Sequence, residues 1–240
     1  MNIYIFEVIG TGMLMLIGNG IVANLVLKGT KGPDLGWVGI SLGWGIAVFI
    51  GVFISADISG AHLNPAVTIG LAAAGKFSWS LVPGYILAQI LGAMIGNILV
   101  WLAYKKQYDA TEDSAAILAT FSTAPAIRDP FWNVITEAIG AFCLVFGVFY
   151  IASGSIDGET ISLGAIDALP VALLIMGIGF GIGGPTGYAI NPARDFGPRL
   201  LHAILPLKSK GTSDWSYAWI PILGPIIGAL LAAGVFVLIP

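Results

Sequence analysis

Ser59-Gly-Ala-His-Leu-Asn-Pro-Ala-Val-Thr68 and Gly183-Gly-Pro-Thr-Gly-Tyr-Ala-Ile-Asn-Pro-Ala-Arg194 are the two stretches on which the fold turns. Each contains the tripeptide Asn-Pro-Ala, once as Asn64-Pro65-Ala66 and again, 127 residues later, as Asn191-Pro192-Ala193. Asn is a preferred N-cap, and Pro suits the first helical position because its missing N–H would be unpaired there anyway. Each tripeptide therefore opens a helix. The residues leading in, 59–63 and 183–190, are Gly-rich and read as non-helical. A single such tripeptide is most simply a cap on a surface helix. Two copies at matching places need another reading, and the surrounding sequence supplies it.

The chain has 240 residues, of which 57% are hydrophobic and 10% charged, with a mean hydropathy of +0.93. A soluble domain would carry about a quarter charged residues. The composition is that of an integral membrane protein. Apolar runs predict spanning helices at about 3–27, 36–56, 82–104, 132–153, 167–183 and 217–239. Two shorter runs, 64–75 and 191–203, each cover about half of a ~30 Å hydrocarbon core and read as half helices. The polar connection from Lys105 to Pro130 reads as a surface loop with some local structure. No separate soluble domain fits. Net charge is −3 with no basic block, so nucleic acid is not an expected partner. The lone Cys143 excludes disulfide scaffolds and reads as a core residue, and no basic region precedes the first apolar run as a signal peptide would require.

The chain repeats itself. Glu7-Val-Ile-Gly10 is echoed by Glu137-Ala-Ile-Gly140, the Asn-Pro-Ala tripeptides match, and Gly92-Ala93 matches Gly228-Ala229 more weakly. Two halves, about 1–106 and 130–240, thus make one transmembrane channel domain. Three full spans per half is an odd number, so the second half starts on the opposite side of the membrane and the repeat is inverted. The two half helices then enter from opposite faces and bring their positive N-terminal dipole ends together near the midplane. Non-helical backbone at that depth is tolerated only where it lines a cavity. We therefore expect a narrow polar pore, with backbone carbonyls of Gly60, Ala61, His62, Leu63, Gly187, Tyr188, Ala189 and Ile190 along one wall. The amides of Asn64 and Asn191 would donate into its centre, while the helix ends and Arg194 exclude cations and protons.

These residues resemble the major intrinsic proteins, the aquaporin and aquaglyceroporin family, over essentially the whole chain. The resemblance rests on Ser59 to Thr68, Asn191 to Arg199, the paired Glu7 and Glu137, and Gln89 in the third span. It implies an all-α membrane protein of aquaporin-like fold, with six tilted helices and two re-entrant half helices around one pore. It also implies four protomers per tetramer in the plasma membrane, both termini cytoplasmic. Asp195, Arg199 and Pro221-Ile222 are similar to the glycerol uptake facilitator branch rather than to water channels. The family's outer constriction, counted from the two motifs, falls on Trp44, Gly179, Tyr188 and Arg194. Water-selective members carry His where Gly179 stands. Trp44 and Tyr188 would form an apolar corner for a carbon backbone, with Arg194 donating to hydroxyls from the opposite side. Tyr188 departs from the Phe usual in glycerol facilitators.

Other residues have plainer readings beside functional ones. Arg194 must face protein or water, because a lipid-facing central position would cost ~2.5–3.5 kcal/mol. Glu7 and Glu137 could relay protons, but read better as carboxylates that accept backbone N–H groups of the lead-in strands. Gln89, Asp195 and Arg199 join them as pore support. His62 reads as a structural imidazole rather than a gate. Trp37, Trp79, Trp101, Trp132, Trp215 and Trp219 read as interfacial anchors. The positive-inside rule opposes the family's orientation: Lys28, Lys31, Lys105, Lys106, Arg128, Lys208 and Lys210 fall outside, and Lys76 falls inside.

The function expected is passive conduction of glycerol and similar small neutral solutes with some water. Alternatives within the family are a channel preferring water, dihydroxyacetone, urea, hydrogen peroxide or undissociated lactic acid. A proton-coupled secondary transporter would also use inverted repeats and broken helices. No His pair, nucleophile with base, or metal-ligand spacing points to an enzyme, a metal site or a cofactor.

Overall fold

The computed structural model describes residues 2–151, 154–156, 159–161 and 164–239. Its helices are α1 (Ile3–Val26), α2 (Gly36–Ser59), α3 (Pro65–Ala73), α4 (Val82–Ala103), α5 (Lys105–Ala110), α6 (Ser114–Ala119), α7 (Pro130–Tyr150), α8 (Leu169–Ile182), α9 (Pro192–Ile204) and α10 (Ile220–Leu238). Among the described residues, six helices are long and apolar enough to cross a membrane: α1, α2, α4, α7, α8 and α10, with single 3-10 turns at Trp79–Leu81 and Gly164–Ala168 extending α4 and α8. The expected spans are found within a few residues at each end. Residues 152 and 153, the end of the expected fourth span, lie outside the described residues. The architecture is that of a multi-pass helical membrane protein. One addition is a short antiparallel hairpin, β1 (Gly154–Ile156) against β2 (Glu159–Ile161), between α7 and α8.

Packing repeats between the halves. α1 lies along α4, and α7 lies along α10 in the same manner. At the first crossing a Cβ on Gly92 would strike the carbonyl of Val8, and at the second a Cβ on Gly228 would strike the carbonyl of Ala138. Val8 and Ala138 are themselves one residue beyond Glu7 and Glu137. The weak sequence match of Gly92 to Gly228 thus marks the equivalent helix crossing. Small residues let two backbones approach closely where lipid offers no hydrophobic drive between helices.

α3 and α9 are the expected half helices, at 9 and 13 residues. Each is capped by its Asn in extended backbone, Asn64 at φ −157° and Asn191 at φ −149°, with Pro at the first turn. Exposed large apolar side chains such as Phe53, Leu87, Leu99, Leu173, Leu231 and Val237 cover the outside of the six spans, as lipid contact requires. The segment from Lys105 to Pro130 differs from a plain surface loop. α5 and α6 fold back so that Tyr108, Ile117 and Phe121 pack with Ala23, Val100 and Leu201 in a second buried cluster. This carries residues 120–123 inward, against α9.

Candidate functional site

Both lead-in strands carry one unusual backbone pattern. Gly60, Ala61 and Leu63 have positive φ (79°, 49° and 52°), and so do Gly187, Tyr188 and Ile190 (77°, 36° and 41°), position for position across the repeat. L residues adopt that region at ~1–2 kcal/mol each, so something must hold them. Two buried carboxylates do. Glu7 accepts the backbone N–H of His62 (2.9 Å) and Leu63 (2.8 Å), the Ser59 hydroxyl (2.8 Å) and the Gln89 amide (2.7 Å). Glu137 accepts the backbone N–H of Ala189 (3.0 Å) and Ile190 (2.7 Å) and the Thr186 hydroxyl (2.6 Å). Ser59, His62 and Leu63 correspond to Thr186, Ala189 and Ile190, so the two clamps are copies. With the N–H groups drawn backward to the carboxylates, the strands are held in one conformation while residues 60–63 and 187–190 face a cavity.

The half helices meet through their caps. The Asn64 side-chain amide donates to the Ile190 carbonyl (2.8 Å), and that of Asn191 donates to the Leu63 carbonyl (2.9 Å). The amide oxygens accept from Ala66 N–H (2.8 Å) and from Ala193 and Arg194 N–H (3.0 and 3.2 Å). A side-chain amide has two N–H groups. One N–H of each Asn therefore ties the halves together, and Leu63 and Ile190 carbonyls are occupied by these ties.

A cavity of about 230 Å³ runs past this junction. Gly60 to Asn64 and Gly187 to Asn191 line it together with the apolar side chains of Val48, Val67, Leu144, Val148, Val171 and Ile175. Trp44, Tyr188 and Arg194 also line it. Gly179 lies against Tyr188, whose hydroxyl is 2.9 Å from where a Gly179 Cβ would stand. Arg194 lies over the face of Trp44, 4.4 Å from the ring centre. Arg194 is buried and donates to the Phe121 carbonyl (3.4 Å).

Asp195 and Arg199 set that carbonyl in place. They form a fully buried ion pair at 2.8 Å. Asp195 accepts both the N–H and the hydroxyl of Thr123 (2.8 Å each), while Arg199 donates to the carbonyls of Thr123, Ser213 and Asp214 (2.9, 2.9 and 3.0 Å). One pair thus fastens two connecting segments onto α9, and Phe121 stands two residues before Thr123. Asn19, which pairs with Asn97, adds a 3.5 Å contact to the same carbonyl. Further out, Arg128 bonds Asp214; burial acts to raise the Asp214 carboxyl, but the hydrogen bonds from Arg128 and Ser216 outweigh it and hold its pKa below the ordinary value.

His62 bonds Thr68 through Nδ1 (3.1 Å) and packs between Phe77 and Tyr85, so its ring is a packed element beside the cavity. Gln89 bridges Glu7 and Thr68. Trp37 is not simply an anchor: its indole N–H donates to the Gly179 carbonyl (2.8 Å) and its ring meets Tyr188 edge-on. Its partner is 142 residues away, and no local pattern announces it.

The comparisons with known proteins follow this geometry. The family model for the major intrinsic proteins matches residues 1–236. The chain belongs to the major intrinsic protein family. It is 54% identical to the glycerol uptake facilitator protein of Streptococcus pneumoniae over 98% of both chains. It is 46% identical to that of Bacillus subtilis, over 96% of this chain and 81% of the relative. Among solved structures, the aquaglyceroporin from Plasmodium falciparum superposes with a TM-score of 0.85 at 33% identity, covering 98% of this chain and 95% of that one. The inverted halves, paired half helices and lead-in strands are therefore a family architecture carried by a channel-forming chain.

Proposed function

We propose that the protein is a passive channel for glycerol and similar small neutral solutes, with some water, and that its two halves act as one channel unit. The observation that carries this reading is the mixed lining of the cavity: the polar lead-in segments 60–64 and 187–191 on one hand, and Val, Leu and Ile side chains on the other. A polyol has those two faces. Stripping water from a hydroxyl costs ~2–7 kcal/mol if nothing replaces it. Carbonyls of Gly60, Ala61, His62, Gly187, Tyr188 and Ala189 accept the hydroxyl protons in turn, and the remaining N–H of Asn64 and of Asn191 donates at the centre. The carbon backbone slides on the apolar wall. The names of the similar bacterial proteins, glycerol uptake facilitators, point to the same solute class.

Trp44, Tyr188 and Arg194, with Gly179 behind them, form the selectivity filter in this reading. Arg194 and the N-termini of α3 and α9 repel cations. A water molecule that accepts hydrogen bonds from both Asn amides points its protons away from the centre in both directions, which interrupts a proton relay. Four protomers assemble in the plasma membrane with both termini cytoplasmic, which places Arg194 toward the outer mouth.

The test is uptake of labelled glycerol into vesicles holding the purified protein. Uptake should rise linearly with glycerol concentration and ignore an imposed pH gradient. Saturable uptake driven by the gradient would replace the channel with a coupled transporter.

A further inference from the structure

The ring of Tyr188 lies in a slot on the surface of α8. The slot is made of two glycines one helical turn apart. A Cβ on Gly179 would stand 3.0 Å from Tyr188 Cζ, and a Cβ on Gly183 would stand 2.5 Å from Tyr188 Cδ1 and 2.7 Å from Trp37 Cζ2. Neither position has room for a methyl group while the ring is there. Trp37 closes the slot from outside: its ring meets Tyr188 edge-on at 5.8 Å and 74°, and its N–H fixes it to the Gly179 carbonyl. Ser41 closes the deep end. Its hydroxyl and that of Tyr188 both lie 2.9 Å from the Gly179 Cβ position, and neither is committed to a hydrogen bond elsewhere among the described residues.

The backbone of Tyr188 cannot relieve pressure on the ring. Its φ of +36° is held from both sides by the bonds of Glu137 to Thr186, Ala189 and Ile190. With α8 beneath the ring and Trp37 over it, the direction left open is toward the cavity that Tyr188 shares with Trp44 and Arg194. We propose that Gly183, Trp37 and Ser41 are specificity-determining residues, which draw the Tyr188 ring back against α8 and so set the width of the passage at Trp44 and Arg194. A Tyr at this place then takes up the space behind the filter that the bare Gly179 leaves, and the passage stays open to a polyol. The proposal rests on the reading of Tyr188 as part of the filter.

The experiment is a double-mutant cycle on the full-length protein in proteoliposomes, reading glycerol, a four-carbon polyol and water by stopped-flow light scattering. Gly183→Ala should push the ring into the passage and cut glycerol flux about tenfold, the order expected for one misplaced carbon in a fitted site, with a smaller loss of water flux. In a Tyr188→Ala background the same change should leave the glycerol-to-water ratio unaltered, because no ring remains to be displaced. Equal losses in both backgrounds would mean that Gly183 acts without Tyr188, and would overturn the proposal. If Gly183→Ala does not fold, Trp37→Leu carries the test: opening the slot should raise four-carbon flux relative to glycerol only while Tyr188 is present, and an unchanged ratio would overturn it. Tyr188→Ala alone checks the underlying reading. Unchanged discrimination between glycerol and the larger polyol would remove Tyr188 from the filter altogether.

Discussion

Arg194 lines the cavity, and its surroundings bear on the role proposed for it. It stacks on Trp44 and bonds the Phe121 carbonyl, while the neighbouring carboxylate, Asp195, is engaged by Arg199 and Thr123. Its charge is therefore directed at the passage rather than absorbed by a salt bridge. Arg194→Ala should admit protons or small cations, measured as dissipation of a pH gradient in dye-loaded vesicles; ion exclusion equal to that of the unaltered protein would detach Arg194 from this role. Glu137 poses the opposite question, since an intramembrane acid suggests a relay. Among the described residues, Thr186, Ala189 and Ile190 all donate to its two oxygens. Glu137→Gln would keep one acceptor oxygen and set an amide N–H against a backbone N–H of the strand, losing a charge-assisted bond worth ~1.5–3 kcal/mol, so thermal stability in detergent should fall. Unaltered stability, together with loss in the variant of a pH-dependent flux that the unaltered protein shows, would instead favour the relay.

At the scale of elements, α9 owes its position to the Asp195–Arg199 pair. Breaking a buried pair by removing one partner costs about 3–5 kcal/mol, because a charge is left uncompensated. Arg199→Met should therefore destabilise strongly, and Asp195→Leu added to it should restore part of the loss in thermal melting; additive losses would show that the two residues act separately. The outer clasp of Arg128 and Asp214 is half-exposed on the Arg side and should contribute only about 0.5–1 kcal/mol. Since the Asp214 pKa is depressed in the fold, that contribution is present above the ordinary carboxylate pKa and disappears as pH falls through the folded value. The melting difference from Asp214→Asn should persist at neutral pH and vanish in acid, whereas a difference that grows in acid would reverse the sign. These elements also show what sequence can carry. Spans and half helices were legible because apolar runs and Asn-Pro caps are local signals. The inward fold of 105–123 was not, because Tyr108, Ile117 and Phe121 look like ordinary loop apolars until Ala23, Val100 and Leu201 are placed beside them. The bond of Trp37 to a carbonyl on α8 is hidden from the sequence for the same reason.

Across the whole molecule, the inverted repeat makes one mechanical unit. Glu7 and Glu137 clamp equivalent strands, Asn64 and Asn191 bond across the junction, and Gly92 and Gly228 seat equivalent crossings. Only the pairing of motifs was visible in sequence. That each Asn reaches the strand of the other half required the three-dimensional arrangement, as did the discovery that Gly179 stands behind Tyr188. Orientation is a whole-molecule property too, and here the family and the cation distribution point in opposite directions, with Lys208 and Lys210 on the Arg194 side. Lys208→Cys should react with a membrane-impermeant maleimide added to intact cells; protection until the cells are opened would invert the placement.

The most direct measurement of the central claim is stopped-flow light scattering on proteoliposomes given matched osmotic gradients of glycerol and of an impermeant sugar, at two pH values. A passive polyol channel predicts rapid shrinkage in both, followed by fast reswelling in glycerol alone and at the same rate at each pH. Shrinkage in glycerol with no reswelling would contradict it, because water would then pass the filter proposed at Trp44, Tyr188 and Arg194 while glycerol did not.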